Sequence, residues 1–250
     1  MTRVCFIGDS HTAAMRLGWE TVAQDFPKIK IAFYAAHRVR WVDLAVEDGR
    51  LVPQSEELTR LMRRLVSEPV IAPDYDHYIL CGMDYSIFYA MNRLMSFRSE
   101  DQLADNRTPL SSECYLRAMT GCLRDTINMQ VARKVRAITA RPITIVPGPR
   151  ISDANDLKLY PRLEQTGDAA RIAGYFAAAC ATLCSEIDAQ VLEQPARTLR
   201  DPIRTLAVYA KDAPREFDEV PRPDGWKDYQ HMNAEYGALA LRDLFAMPGF

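Results

Sequence analysis

Apolar positions along this chain fall into two patterns, short unbroken runs and longer stretches at helical spacing. Val4-Cys5-Phe6-Ile7 is an unbroken run closed by Gly8, the signature of a strand buried on both faces of a parallel sheet. Ala13, Ala14, Leu17, Trp19, Val22 and Ala23 follow at helical spacing. Lys28 to Tyr34 alternates as a second strand, and Ala35 to Arg38 reads as a loop at the same sheet edge as Ser10. Val39 to Val52 is mixed, with a turn at Asp48-Gly49. Ser55-Glu56-Glu57-Leu58 opens a helix carrying Leu61, Met62 and Leu65, ahead of Pro69 and Pro73. His77 to Cys81 is a third strand, closed by Gly82.

Ile87, Phe88, Met91, Leu94 and Met95 predict a short apolar helix, and Ser99 to Ser112 a polar loop. Glu113 to Ala140 predicts one long helix, with Leu116, Met119, Leu123, Ile127, Val131, Val135 and Ile138 on one stripe. Pro142 to Val146 is a fourth strand, and residues 150 to 165 read as loop. Thr166 to Asp188 is an Ala-rich helix, and Gln190 to Leu192 starts a weak fifth strand. Residues 193 to 227 are punctuated by five prolines and read mostly as loop, with a short element at Leu206 to Tyr209. The last helix spans Asn233 to Phe245. Strands alternating with helices predict βαβ units and a mostly parallel sheet with helices on both faces, in one α/β three-layer domain over residues 1 to 250. The first strand–helix turn lacks the glycine patterns of nucleotide-binding loops.

Composition narrows the class further. The 250 residues are 48% hydrophobic and 26% charged, with a net charge of −2, so a large core is available and nothing in the overall charge calls for a nucleic acid or an anionic membrane as partner. No stretch reaches membrane-spanning length and the chain opens on a strand rather than a signal peptide, so a cytoplasmic location is expected. The six cysteines form no C-x-x-C pair. Cys180 and Cys184 share a helix face, a spacing that suits buried free thiols better than a zinc site.

The candidate chemistry sits at the two ends. A buried strand turning sharply into a helix places one side chain, here Ser10, at the carboxyl edge of the sheet, where open α/β sheets bind ligands. A serine there can act as a nucleophile with backbone donors beside it. It serves equally as a helix N-cap. Near the other end, Asp228 and His231 stand three apart just before the last helix. Asp228 can accept from one imidazole nitrogen and leave the other free as the base a serine needs. The competing reading makes Asp228 the cap of that helix and His231 a surface residue.

Together, Gly8-Asp9-Ser10-His11-Thr12 and Asp228-Tyr229-Gln230-His231 resemble the SGNH, or GDSL-type, hydrolase family, in an element order covering nearly the whole chain. The resemblance implies a flavodoxin-like αβα sandwich with five parallel strands, Ser10 as nucleophile, His231 as base and Asp228 as its orienting acid, with no cofactor. Two family blocks differ. Where the family has an oxyanion-binding Gly after the second strand, this chain has Ala35 and Ala36, so the Ala36 N–H is the expected donor beside that of Ser10. Where the family has G-x-N-D, this chain has Gly82-Met83-Asp84-Tyr85, with Asp84 in place of the donating Asn. A carboxylate there repels an oxyanion, and losing one donor costs about two to three orders of magnitude in rate. Asp84 donates only if an apolar site raises its pKa and keeps it protonated.

His11 follows the nucleophile; its N–H, with Gly82, is an oxyanion or substrate-binding candidate, and its ring either meets substrate or packs in the turn. His37 and His77 read as structural or surface residues, and no spacing supports a metal site from His11, His37 and Asp84. Residues 83 to 112, with Tyr85, Phe88, Tyr89, Met91, Met95 and Phe97, are the expected lid or pocket wall. The expected activity is hydrolysis of an acyl ester, with an O-acyl group on a carbohydrate or related small molecule as substrate. An acyltransferase with the same triad, or a binding protein on a degenerate hydrolase fold, is the alternative.

Overall fold

The structure, a computed structural model, describes residues 1–103, 106–155, 159–214 and 228–250. Strand β1 (Thr2–Gly8) turns into helix α1 (Thr12–Val22), and β2 (Ile29–Ala35) follows. A hairpin of β3 (Leu44–Glu47) and β4 (Arg50–Pro53) turns at Asp48-Gly49, where φ is 47° and 72°, as a tight two-residue hairpin turn requires. Helix α2 (Glu56–Met62) is capped by the Ser55 side chain, which accepts from the Leu58 N–H. Next come β5 (His77–Cys81), α3 (Ile87–Arg93), a short pair of β6 (Phe97–Ser99) and β7 (Thr108–Leu110), then α4 (Ser112–Arg124) and α5 (Ile127–Ile138). The chain continues through β8 (Ile143–Val146), β9 (Ile151–Ser152), α6 (Leu159–Gln165), α7 (Asp168–Glu186) and β10 (Gln190–Val191). A short pair, β11 (Leu199–Asp201) and β12 (Arg204–Thr205), precedes the last helix, α8 (Ala234–Phe245).

Five strands form the central sheet in the order β2-β1-β5-β8-β10, every neighbouring pair parallel. With helices on both faces, this is the α/β three-layer sandwich that the alternating pattern predicts. Side chains of successive residues enter opposite layers. Val4, Phe6, Ile79 and Cys81 join the core under α1 and α8, while Cys5, Ile7, Tyr78 and Leu80 join the larger core under the other helices. The strand order reverses between β1 and β5, and that switch point at the carboxyl edge is where such sheets leave a crevice. Among the described residues, no helix is long and apolar enough to cross a membrane.

Helices α1 and α8 touch backbone to backbone. A Cβ on Gly237 would lie 1.9 Å from the Ala14 carbonyl oxygen, and one on Gly18 would lie 2.3 Å from the Ala238 nitrogen. Gly237→Ala must push α8 off α1, so it is expected to cost about 1–3 kcal/mol in denaturant unfolding. Helix α8 begins just after His231, so this contact also fixes one end of the site.

His77 is buried, its Nε2 is 2.8 Å from Thr144 Oγ1, and its ring stacks on Phe250. Burial lowers its pKa from 6.5 to about 4. The unfolded chain therefore binds a proton that the folded one refuses between those values, and stability falls as pH drops from about 6.5 towards 4. His77→Gln should flatten the dependence of the urea midpoint on pH between about 6.5 and 5, before carboxylates titrate.

Four stretches depart from the hydrophobic pattern. The stripe from Glu113 to Ala140 is two helices, not one. Thr126 breaks it, donating its hydroxyl to the Leu123 carbonyl at 2.7 Å and capping α5 by accepting from the Met129 N–H. Within 150 to 165, α6 forms because Pro161 lies in its first turn, where no N–H is needed, with Tyr160 and Leu163 turned inward; residues 156–158 lie outside the described residues. In the polar run Ser99 to Ser112, whose residues 104 and 105 lie outside the described residues, Ser99 and Leu103 are tied to α7. Ser99 Oγ is 2.8 Å from the Tyr175 hydroxyl, and both Asp168 oxygens accept from the Leu103 N–H at 3.0 Å. The expected loop over 193 to 227 holds β11, β12 and a 3-10 turn at Ala207–Ala210. Its residues 215–227, with Pro221 and Pro223, lie outside the described residues.

Candidate active site

The turn between β1 and α1 is set by close approach. A Cβ on Gly8 would lie 2.3 Å from Thr12 Oγ1 and 2.8 Å from the Cys81 carbonyl oxygen. Helix α1 takes His11 as its N-cap with no side-chain cap bond, so Ser10 does not cap it. The Ser10 hydroxyl instead lies 2.7 Å from His231 Nε2. Asp9, buried beneath, accepts from the His11 N–H at 3.1 Å through Oδ1 and from the Met83 N–H at 2.8 Å through Oδ2. Its carboxylate thus ties the turn after β1 to the loop after β5.

That second loop is strained. Gly82, Met83 and Asp84 have φ of 68°, 54° and 69°, and in the two non-glycine residues this costs of order 1 kcal/mol or more each. Asn128, in the first turn of α5, holds the loop from the other side. Its Nδ2 donates to the Gly82 carbonyl and its backbone N–H to the Met83 carbonyl, both at 3.1 Å.

On the opposite wall, Asp228 Oδ1 accepts from the backbone N–H groups of Gln230 (3.0 Å) and His231 (3.2 Å), and Oδ2 stands 2.9 Å from His231 Nδ1. A carboxylate accepts only, so Nδ1 carries the proton and Nε2 is left to accept from Ser10. Asn233, not Asp228, caps α8, accepting from the Tyr236 N–H. Its amide also donates to the Val208 and Lys211 carbonyls, which anchors the loop that carries His231. The His11 ring stacks on His231 at a centroid distance of 5.0 Å. Burial holds the His11 pKa below its ordinary 6.5, which disfavours a positive charge on the ring stacked against His231.

The structure redistributes the expected oxyanion donors. Ala36 is fully buried and off the cleft wall. Its N–H donates to the Gly8 carbonyl at 3.2 Å, continuing the β1–β2 pairing, and the Trp41 indole N–H joins the same carbonyl at 3.0 Å. Gly82 does line the cleft, but its N–H donates to the Val146 carbonyl at 3.0 Å. The His11 N–H is held by Asp9. Of these backbone donors, the Ser10 N–H alone has no partner among the described residues. Asp84 faces the cleft not as an isolated carboxylate but in an ion pair with Arg38, from the loop after β2. Arg38 has no motif around it, and the partners are 46 residues apart, so hydrophobic periodicity gives no sign of the pair.

The resulting cleft measures about 740 Å³, within the usual range of small-ligand sites. Ser10, His231, His37 and the Arg38–Asp84 pair line it, along with Arg40, which pairs with Glu57 at 2.7 Å. Tyr85, Phe88, Tyr89 and Asn92 form another wall. Met91 turns into the core, and Met95 and Phe97 are exposed away from the cleft. No described residue of Ser99 to Ser112 lines it. Burial pushes the Cys180 and Cys184 thiols up to about 12 and about 11, which makes them inert neutral groups. Among the described residues, no three His, Cys, Asp or Glu side chains converge as a metal-binding group.

No family model matches the chain, and no curated protein matches it. A solved structure that it resembles is "a putative arylesterase from Agrobacterium tumefaciens str. C58", at 13% identity over 98% of this chain and 97% of that chain, with a TM-score of 0.41. The functional reading therefore rests on the geometry of the site itself.

Proposed function

We propose that the protein is a serine-dependent hydrolase of acyl esters, of the SGNH type, acting on O-acyl groups, acetyl above all, of a carbohydrate or similar hydroxyl-rich small molecule. The observation that carries this reading is the relay from Ser10 Oγ to His231 Nε2 at 2.7 Å and from His231 Nδ1 to Asp228 Oδ2 at 2.9 Å. Ser10 Oγ attacks the ester carbonyl carbon while its proton passes to Nε2. The tetrahedral intermediate collapses, the alcohol leaves with that proton, and Ser10 holds the acyl group. Water then attacks the acyl-enzyme, gives its proton to Nε2, and the acid departs as Ser10 recovers the proton. These steps need no cofactor. The cleft supports a polar substrate, since paired charges and Asn92 border it while Phe88 and Tyr89 offer faces on which a sugar ring can stack.

One observation favours the other reading, a binding protein on the same scaffold: backbone N–H groups that would serve an oxyanion are engaged in the sheet. A fluorophosphonate probe separates the two. We expect stoichiometric labelling of Ser10, located by peptide mass mapping and lost in His231→Ala. An unlabelled protein, or label on another residue, rejects the hydrolase.

A further inference from the structure

Behind the Ser10 cleft lies a second cavity of about 490 Å³, with Gly148 on the wall of both. Most of its lining is apolar, with Val146 from the sheet, Leu192 just past β10, Phe176 from α7 and Ala240 from α8. Arg150, Glu193 and Gln194 are the polar exceptions. The Arg150 backbone is fixed, the N–H donating to Gln194 Oε1 at 2.9 Å and the carbonyl accepting from Thr205 Oγ1 at 2.6 Å. Its guanidinium has no hydrogen bond or ion pair among the described residues, and Nη1 is buried without a partner. The neighbouring acids do not complete it. Asp201 already accepts from Arg204 at 2.5 Å and from the Ile203 N–H at 2.9 Å, and Glu193 acts on Arg150 only through space.

A guanidinium does not lose its charge in proteins, so burying it unpaired is costly unless an anion completes the site. The apolar walls suit the body of that anion. We propose that this cavity binds a medium-chain alkanoate, with its single carboxylate on Arg150 and its chain along Phe176 and Leu192. The site is distinct from the Ser10 chemistry and does not depend on it.

Titration calorimetry with decanoate, decanol and decylammonium tests this on the intact protein. Decanoate should bind one per chain, more tightly than decanol, and decylammonium should not bind. Arg150→Gln should weaken decanoate about tenfold or more and leave decanol unchanged. Ser10→Ala should leave decanoate binding intact, which keeps this result independent of any hydrolase activity. Ala177→Trp, at the exposed side of the cavity, blocks it without touching Arg150 and should abolish decanoate binding, so the test survives if Arg150→Gln does not fold. Equal affinities for decanoate and decanol, an unchanged Ala177→Trp, or loss of binding in Ser10→Ala overturns the proposal.

Discussion

Ser10→Ala is expected to lower kcat/KM for an acetyl ester by about four orders of magnitude or more, while the free energy of unfolding shifts by no more than about 0.5 kcal/mol. The stability half of this expectation follows from what Ser10 does not do. It caps no helix, and its hydroxyl has His231 as its side-chain partner. The rate half follows from the loss of the hydroxyl that stands 2.7 Å from its base, which removes the acyl-enzyme route. Asp228→Asn should fall almost as far, by about 10⁴ in kcat, since its oxygen is held by the Gln230 and His231 N–H groups and its NH2 donates to Nδ1, which moves the proton to Nε2 and leaves Ser10 without a base. The two losses should not add, because both disable one relay. Steady-state kinetics on the single and double variants, paired with urea titrations, measures all of this. If Ser10→Ala retains substantial hydrolysis, the relay is not the machinery.

The strands were legible because a parallel strand buried on both faces has little choice but to be apolar, as Val4 to Ile7 and His77 to Cys81 show. Ser10, Asp228 and His231 stood out for a different reason: the Gly8-Asp9-Ser10 and Asp228-Tyr229-Gln230-His231 blocks together resemble a hydrolase family, whereas each residue alone reads as readily as a cap or a surface group. What escaped was polar or non-local. Thr126 divides an unbroken apolar stripe with one hydroxyl, and periodicity does not register a cap inside a continuous helical pattern. Strands β9, β11 and β12 are held by Arg204, Asp201, Thr205 and Gln194 rather than by apolar alternation. The place of Ala36 in the chain, where the resembled family has an oxyanion-binding Gly, points to the oxyanion, yet the register of β1 against β2 takes its N–H to Gly8. Asp9 and Asn128, which hold the strained loop after β5, act across 74 and 46 residues. Such contacts are consequences of the fold and have no local signature.

Arg38→Ala is expected to lower kcat by about 10²–10³ with a smaller effect on KM, and adding Asp84→Asn to it should restore about tenfold or more of the loss. The expectation starts from the developing negative charge on the ester oxygen, which needs donors aimed at it. The Ala36, Gly82 and His11 N–H groups are engaged elsewhere, leaving that of Ser10. Asp84 projects into the same cleft, and Arg38 neutralises it. Deleting Arg38 therefore does two kinds of harm. It removes N–H donors from the cleft wall, and it leaves a bare carboxylate facing an oxyanion. Asp84→Asn in that background removes the charge and supplies an amide donor, and Asn tolerates the left-handed backbone at φ 69° much as Asp does. In the wild-type background the same change should matter little, within about threefold, because Arg38 already cancels the charge. The coupling between the two positions is the quantity to measure, from kcat on all four members of the cycle. A double variant as slow as Arg38→Ala would assign the effect to the guanidinium's own donors. Full activity in Arg38→Ala would place the pair outside the chemistry altogether.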